Sequence, residues 1–295
     1  MRRPLESVPN FSEGRDRSTI DALAAALRSG GARLLDVHAD EDHNRSVFTL
    51  VGSGDEVVDS LLAGIASAAE LIDLGAHEGA HPRIGAADVV PLVPLAAEDE
   101  VHARKAAERL ALRVGGELRL PVFLYGALGE DRGPAFFRRG GPGELQRRVD
   151  AGELEPTYGP KQLSPSAGGV LIGVRRPLIA FNVNLRGSVE TAREIAAAVR
   201  ETGGGFPGVR ALGLELPRAG LVQVSMNVED WEAAALHAIV AEVARLAEAR
   251  GAEVVGSELV GLMPAGAAAA AAGAALRIDG FDASRVLELR LFEDA

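Results

Sequence analysis

The chain has 295 residues, of which 47% are hydrophobic and 25% charged, a composition typical of a globular protein with enough apolar material for a core. Asp and Glu outnumber Lys and Arg by 42 to 31, which argues against nucleic-acid binding, and the lack of cysteine excludes thiolate catalysis and Cys-based zinc sites. No signal peptide is recognisable, and the longest apolar run, Ala265–Leu276, is too short to span a membrane, so we expect a cytoplasmic protein.

The first half of the chain predicts alternating strands and helices from the spacing of its apolar residues. A helix capped by Ser18 ends at Gly30, and a polar stretch rich in Gly and Pro, residues 129–169, is expected to be irregular. The other predicted elements are, in order, strands 5–8, 33–38 and 46–51, helix 56–72, strand 89–95, helix 98–114 and strand 122–125.

The second half repeats the order strand, helix, strand, strand, helix, strand. Two helices are predicted, the first capped by Ser188 or Thr191 and the second by Asp230. The predicted strands are 178–185, 209–216, 221–228 and 253–260. This order is the split βαβ pattern of ferredoxin-like units. We therefore predict an α+β protein with two tandem ferredoxin-like subdomains, residues 1–176 and 177–295, whose helices cover one face of each sheet. The free faces are candidates for a ligand site.

The densest polar cluster, residues 73–88, is predicted as a loop between a helix and a buried strand. It contains His77, His81, Arg83 and two aspartates among several glycines, and a merely solvated loop is the alternative. Residues 77–81 also match the zinc-protease pattern H-E-x-x-H, but that chemistry requires a continuous helix. Gly79 and Pro82 disfavour a helix here, so zinc hydrolysis is a minor hypothesis, and His77 or His81 acting as an acid/base is the more economical one.

Two further segments are candidates for binding. Residues 36–45 contain three consecutive carboxylates, which bind a cation or are simply solvated, followed by Asn44 and Arg45, a plausible clamp for a carboxylate. Residues 158–169 are too rich in Gly and Pro for regular structure, and a plain linker between the domains is an equal alternative there.

The chain resembles glutamate formiminotransferase, the formiminotransferase domain of the bifunctional formiminotransferase-cyclodeaminase. The similarity extends over nearly the whole sequence, in order. It is carried by V-P-N-F-S-E-G at 8–14, L-L-D-V at 34–37, N-R at 44–45, H-x-G-x-H-P-R-x-G-A-x-D-V at 77–89, L-I-A-F-N-x-N-L at 178–185, Q-V-S-x-N at 223–227 and V-V-G-S-x-L-V-G-L at 254–262.

The resemblance implies transfer of a formimino group from N-formimino-L-glutamate to N5 of tetrahydrofolate, a step of histidine degradation. It implies that tetrahydrofolate is a co-substrate, that no metal takes part, that the protein is a homodimer and that His81 is the catalytic residue. It also implies a folate-binding set: Gly159, Pro160, Lys161, Gln162, Leu163, Ser164, Pro165, Ser166, Ala167, Gly168 and Gly208.

The residues suit that chemistry. N5 must lose a proton and the departing glutamate nitrogen must gain one, and a histidine can do both in turn. Arg45 and Arg83 are the expected partners of the glutamate carboxylates. Asp36 or Asp88 is expected to orient the imidazole or to hold the amidinium.

Two departures from mammalian members keep alternatives open. His38 stands where they have a carboxylate, and Ala167 stands where they have a tryptophan in the folate stretch. These differences favour one alternative, a folate- or metabolite-binding relative without catalysis. The resemblance leaves a second one open, since stand-alone relatives also include proteins expected to transfer a formyl group.

Overall fold

The structure is a computed structural model that describes residues 4–292, and it divides after Arg176 into two compact units. Residues 1–3 and 293–295, the outer ends of the two predicted domain ranges, lie outside the described residues. Each unit combines helices with a β-sheet, which confirms the predicted α+β class. Within residues 4–292, no helix is both long and apolar enough to cross a membrane.

The first unit contains strands β1–β7 and helices α1–α5. Their bounds are β1 Leu5–Ser7, β2 Asn10–Phe11, α1 Arg17–Ser29, β3 Arg33–Asp40, β4 Arg45–Gly52, α2 Gly54–Leu71, β5 Ala87–Pro94, α3 Glu100–Glu117, β6 Val122–Gly126, α4 Pro134–Arg138, α5 Gly141–Asp150 and β7 Val170–Val174. Across the sheet the order is β3, β4, then β1 together with β2, then β5, β7 and β6.

The first strand is interrupted rather than continuous. Both β1 and β2 lie between β4 and β5 and are antiparallel to each of them. Pro9 separates the two pieces because proline has no N–H to donate to the ladder. Its carbonyl still accepts a hydrogen bond from the Phe48 amide at 3.1 Å, so the strand resumes in register.

Strand β7 and helices α4 and α5 are absent from the predicted elements. Strand β7 extends the sheet in parallel between β5 and β6. Alternate residues of β6 and β7 enter two separate cores: Val122 and Ile172 join the core beneath α1–α3, while Phe123 and Leu171 pack with Phe137 of α4. The first unit therefore has helices on both faces of this part of its sheet, whereas the prediction had helices on one face.

The second unit is simpler. It contains β8 Ile179–Arg186, α6 Val189–Val199, β9 Val209–Leu216, β10 Leu221–Val228, α7 Leu236–Glu248, β11 Glu253–Val260, α8 Ala265–Leu276 and α9 Leu287–Phe292. The antiparallel sheet has the order β11, β8, β10, β9. Alternate residues of β8 and β10, such as Val183 and Val224, form a core with Ile195 of α6 and Ile239 of α7.

Two predicted helix caps are wrong. Helix α1 is capped by Asp16, whose side chain accepts from the Ser18 amide at 3.0 Å, because an aspartate two residues earlier satisfies the free amides as well as Ser18 would. Helix α7 begins at Leu236 and not directly after Asp230, whose side chain instead accepts from the Ala233 amide in a preceding turn.

Candidate functional site

The histidine-rich segment is a loop between α2 and β5, as predicted. Apart from a single 3-10 turn at Leu74–Ala76 it has no helix, so His77 and His81 do not lie on one helical face. The geometry of the zinc-protease motif is therefore missing, and the described residues contain no group of three or more acidic or histidine side chains able to hold a metal. The loop owes its shape to hydrogen bonds within the protein.

Arg83 is the main link within this loop. Its Nε donates to the His81 carbonyl at 3.1 Å, Nη1 donates to the Asn44 carbonyl at 3.3 Å, and Nη2 donates to the carbonyls of His43 and His81. The guanidinium also lies against the His77 ring, whose Nε2 is 3.1 Å from the Asn44 carbonyl. Arg83 thus ties the His81 loop to the β3–β4 turn, and burial lowers its pKa to about 10.

Asp88 lies at a β-bulge. Strand β2 pairs Asn10 with Val89 and Phe11 with Ala87, which leaves Asp88 as the extra residue of β5. A bulge redirects the side chain of the extra residue. Asp88 is fully buried: its Oδ1 accepts from the Ile84 amide at 2.8 Å, and its Oδ2 accepts from Arg45 at 2.8 Å and from Arg138 at 2.5 Å.

In the cluster of Asp88, Arg45 and Arg138, burial and the charges of the three side chains set the pKa values of Asp88 and Arg45. Burial would raise the pKa of Asp88, but Arg138 and Arg45 outweigh it and hold that pKa well below its usual range. Burial lowers the pKa of Arg45 to about 10, against the opposing effect of Asp88. Arg45 and Arg138 therefore share one carboxylate, and with Arg83 nearby the cluster has an excess of positive charge.

His81 is partly exposed beside this cluster. Its Nδ1 is 2.8 Å from the Pro82 carbonyl, and because a carbonyl only accepts, Nδ1 carries the proton and Nε2 is the basic nitrogen. The ring also contacts His43, with centroids 6.0 Å apart. Desolvation, followed by the charges of Arg45 and Arg138, holds the pKa of His81 well below its usual range. The imidazole is therefore neutral, and able to accept a proton, at pH 7.

The predicted residues Asp36 and His38 lie on strand β3. Their partners in β4 are Thr49 and Val47, and Asp40 is the partner of Arg45. Directly opposed residues share a sheet face, so Asp36 and His38 lie on the same face as Arg45. Asp36 is four strand positions from the Arg45 pair, roughly 13 Å along the strand, so it does not join the Asp88 cluster.

The end of the predicted folate stretch packs directly on the histidine loop. Ser164 and Gly168 exchange two backbone hydrogen bonds, at 3.1 and 2.8 Å, and close a tight turn. From this turn, Ser166 accepts from the Leu74 amide at 2.8 Å and Ala167 accepts from the Ala86 amide at 2.9 Å. The linker alternative is wrong, because residues 158–169 are built into the first unit.

The other residues of the predicted folate set have different surroundings. Gly159 packs against Leu120, which follows α3, Lys161 forms an exposed ion pair with Glu155, and Leu163 is buried. Gln162 and Pro165 are exposed, and Pro160 is partly buried. Gly208 belongs to the second unit, just before β9, where it has a positive φ and accepts from the Glu229 amide at 2.8 Å.

Arg138 and His43 are site residues that the sequence analysis missed. His43 stands in a segment already singled out, and its neighbours Asn44 and Arg45 indicated that segment. Arg138 comes fifty residues after Asp88, in a stretch expected to be irregular. The one available signal is Pro134, which is favoured in the first turn of a helix and does start α4.

Comparison with known proteins gives a consistent result. A glutamate formimidoyltransferase from Thermoplasma acidophilum is 39% identical over 97% of both chains, and one from Streptococcus pyogenes serotype M1 is 37% identical over 80% of this chain and 81% of its own. A formimidoyltransferase-cyclodeaminase from Sus scrofa is 39% identical over 84% of this chain and 48% of its own length. The N-terminal subdomain of the formiminotransferase domain matches residues 4–175, and the formiminotransferase domain matches residues 180–279. With both halves matched in order, the chain belongs to the formiminotransferase family.

Proposed function

We propose that this protein transfers the formimino group of N-formimino-L-glutamate to N5 of tetrahydrofolate, as a step of histidine degradation, with His81 as general acid and base. The relatives, which are named as formimidoyltransferases, support the transferred group and its donor. The observation that carries the mechanism is the geometry of His81, whose Nδ1 faces the Pro82 carbonyl beside an excess of arginine charge; burial and that charge lower the pKa of the imidazole.

The proton transfers follow from the state of His81. As N5 attacks the amidine carbon, Nε2 of His81 accepts the proton that N5 loses. The resulting imidazolium keeps its Nδ1–H bond to the Pro82 carbonyl and gives the Nε2 proton to the glutamate nitrogen as the carbon–nitrogen bond breaks. The products are 5-formimino-tetrahydrofolate and glutamate, and His81 returns to its neutral form.

The donor carries two carboxylates, and the arginine cluster supplies the opposite charge. Arg45 and Arg83 attract these carboxylates, although the hydrogen bonds of Arg83 go to loop carbonyls, so its contribution is mainly its charge. Asp88 acts on the substrate through Arg45, which it holds in place. Asp36 and His38, on the same sheet face as Arg45, are the candidates for contact with the amidinium.

For the folate we propose the stretch Gly159–Gly168 together with Gly208. The backbone hydrogen bonds that the Ser166 and Ala167 carbonyls accept from the histidine loop support this part of the proposal, since they hold one end of the stretch next to that loop. Ala167 is buried in the core beneath α1–α3. Its methyl group offers no aromatic surface on which the pterin could stack.

We also propose that each unit is a ferredoxin-like subdomain, and that the protein is a cytoplasmic homodimer. The strand order supports the first statement: in each unit the first and third strands of the repeat are central, with the second and fourth outside them. In the first unit β7 and β6 extend this order beyond the fourth strand.

The test is a turnover assay with purified protein, formiminoglutamate and tetrahydrofolate, run in parallel with N-formyl-glutamate as donor. We expect product with the formimino donor and at least 10-fold less with the formyl donor. A preference for the formyl donor would favour the formyl-transferring alternative. Thermal stabilisation by folate without product from either donor would identify a binding protein, and would overturn the proposed function.

A further inference from the structure

Arg138 has a rigid position next to the site. It is the last residue of α4, a five-residue helix that begins at Pro134. The preceding residue, Phe137, is buried in the core on the α4 side of the first unit's sheet. Its ring lies 5.6 Å from that of Phe123 and 5.1 Å from that of Phe136. This anchor points the Arg138 side chain, which is 13% exposed, at Asp88.

The three arginines differ in how many of their donors are already used. Arg83 donates from Nε, Nη1 and Nη2 to backbone carbonyls, and Arg45 donates from Nε to Asn10 and from Nη1 to Asp88. Arg138 donates from Nη2 to Asp88, and its Nε is buried without an acceptor among the residues that the structure describes. A guanidinium has five N–H groups, so Arg138 retains the largest unused donor capacity.

The acceptor side of the cluster is already in use. Both oxygens of Asp88 are engaged, Oδ1 by the Ile84 amide and Oδ2 by Arg45 and Arg138. One carboxylate neutralises one of these two cations, and Arg83 adds a further charge. The arrival of a carboxylate would give the buried Nε–H of Arg138 an acceptor. It would also balance the positive charge that Asp88 leaves over among these arginines.

We propose that Arg138 binds one carboxylate of the amino-acid donor directly, and so determines the preference of this site for a dicarboxylic amino acid. Arg45 and Arg83 then supply charge and hold the loop, while Arg138 supplies the unused N–H groups. The inference rests on the proposed function, in that the donor is an N-substituted glutamate.

The experiment compares Arg138→Gln and Arg138→Lys with the control Arg139→Gln, the exposed neighbouring arginine. Each variant is assayed with formiminoglutamate and with its α-amide and γ-amide analogues. In the unmodified protein we expect kcat/KM to fall for both amides. In Arg138→Gln we expect KM for formiminoglutamate to rise about 10- to 100-fold, as for loss of a charge-assisted hydrogen bond. In this variant, one of the two amides should have the same kcat/KM as formiminoglutamate. The carboxylate replaced in that amide is the one that Arg138 binds.

A purely structural role predicts a different pattern. In that case kcat/KM for all three donors falls by one factor, and KM for tetrahydrofolate changes too. If Arg138→Gln still had a lower kcat/KM for both amides than for formiminoglutamate, by the same factors as the unmodified protein, the inference would be overturned. We expect Arg138→Lys to recover part of the preference, and Arg139→Gln to behave as the unmodified protein.

Binding of L-glutamate, measured by calorimetry without turnover, separates this inference from the proposed function. Weaker glutamate binding in Arg138→Gln supports the role of Arg138 even if no formimino transfer is found. Unchanged glutamate binding in a protein that does transfer the formimino group contradicts the role of Arg138 and leaves the function standing.

Discussion

The two units share a strand order, yet they differ in the connection that leads to the fourth strand of the repeat. In the first unit residues 72–86 separate α2 from β5, and in the second unit residues 249–252 separate α7 from β11. The long connection carries His77, His81 and Arg83, and it ends next to Asp88. The difference indicates that the shared strand order does not by itself create a site, and under the proposed function the catalytic histidine lies in this longer connection, the added loop.

The buried polar groups of the two units also differ. In the first unit a buried carboxylate, Asp88, lies between Arg45 and Arg138. In the second unit the buried polar side chains are amides: Asn182 donates to Glu258 at 3.0 Å, and Gln223 donates to Asn184 at 2.9 Å. Both of these amides donate to the partly buried carboxylate of Glu258, so the second unit has one charge held by neutral donors, whereas the first has a carboxylate between two arginines. Positive charges close together shift the pKa of a neighbouring histidine, and neutral amides do so far less.

The largest effect should come from removing the imidazole of the first unit. We expect His81→Ala to lower kcat for formimino transfer about 100- to 10,000-fold, the usual range for loss of a general acid/base. The matched control in the second unit is His237→Ala, an exposed position in α7, which should keep full activity. Retained turnover in a folded His81→Ala protein would place the chemistry elsewhere.

The contrast between the arginine–aspartate cluster of the first unit and the amide–carboxylate cluster of the second can be measured as stability. Asp88→Asn leaves two largely buried arginines without their carboxylate, and we expect the free energy of unfolding to fall by about 3–5 kcal/mol in urea titration. Asn182→Ala in the second unit removes a neutral donor and should cost about 1–3 kcal/mol.

A surface pair provides the reference for both substitutions. Asp59→Asn removes an exposed partner of Arg113 and should cost about 1 kcal/mol or less. If Asp88→Asn were no worse than Asp59→Asn, the buried ion pairs would have no special role.

The contact between the added loop and the Ser164–Gly168 turn should be sensitive to a single methyl group. A Cβ at Gly85 would lie 1.9 Å from the Gly169 carbonyl oxygen. We expect Gly85→Ala to reduce the free energy of unfolding by about 1–3 kcal/mol, as overpacking does, and to raise KM for tetrahydrofolate.

Gly116→Ala is the matched control for that substitution, because a Cβ there meets no atom within 4 Å and alanine favours the surrounding helix α3. Equal effects of the two substitutions on KM for tetrahydrofolate would argue that the turn does not communicate with the site.

The smallest expected effect lies at the far end of the folate stretch. Lys161 pairs with Glu155 at 2.5 Å, but both side chains are largely exposed, so Lys161→Ala should change the free energy of unfolding by about 0.5 kcal/mol or less. If this end of the stretch attracts the anionic folate, KM for tetrahydrofolate should rise a few-fold at low salt and converge with the unmodified value at high salt. A salt-independent KM in both proteins would remove Lys161 from the binding set.

The sequence predicted the second unit better than the first. Strands β9, β10 and β11 match their predicted bounds, and turns rich in Gly and Pro precede β9 and separate it from β10. Strand β7 escaped prediction because it is a short run that directly follows two glycines. His81 was found through a local motif, whereas the pairing of Arg138 with Asp88 joins residues fifty positions apart, and no local pattern encodes such a contact.

The pH dependence of kcat/KM for formimino transfer tests the central claim, that a neutral His81 beside the arginine cluster is the base. Because the pKa of His81 is lowered, the imidazole stays in its basic form as the pH falls through the ordinary value of about 6.5. We predict a constant rate from pH 7.5 to 6.5 and a decline only below that. In Arg138→Gln the loss of one nearby charge should move the decline to higher pH. A rate that falls with an apparent pKa of 6.5 or above in the unmodified protein, or that rises on acidification, would contradict the account.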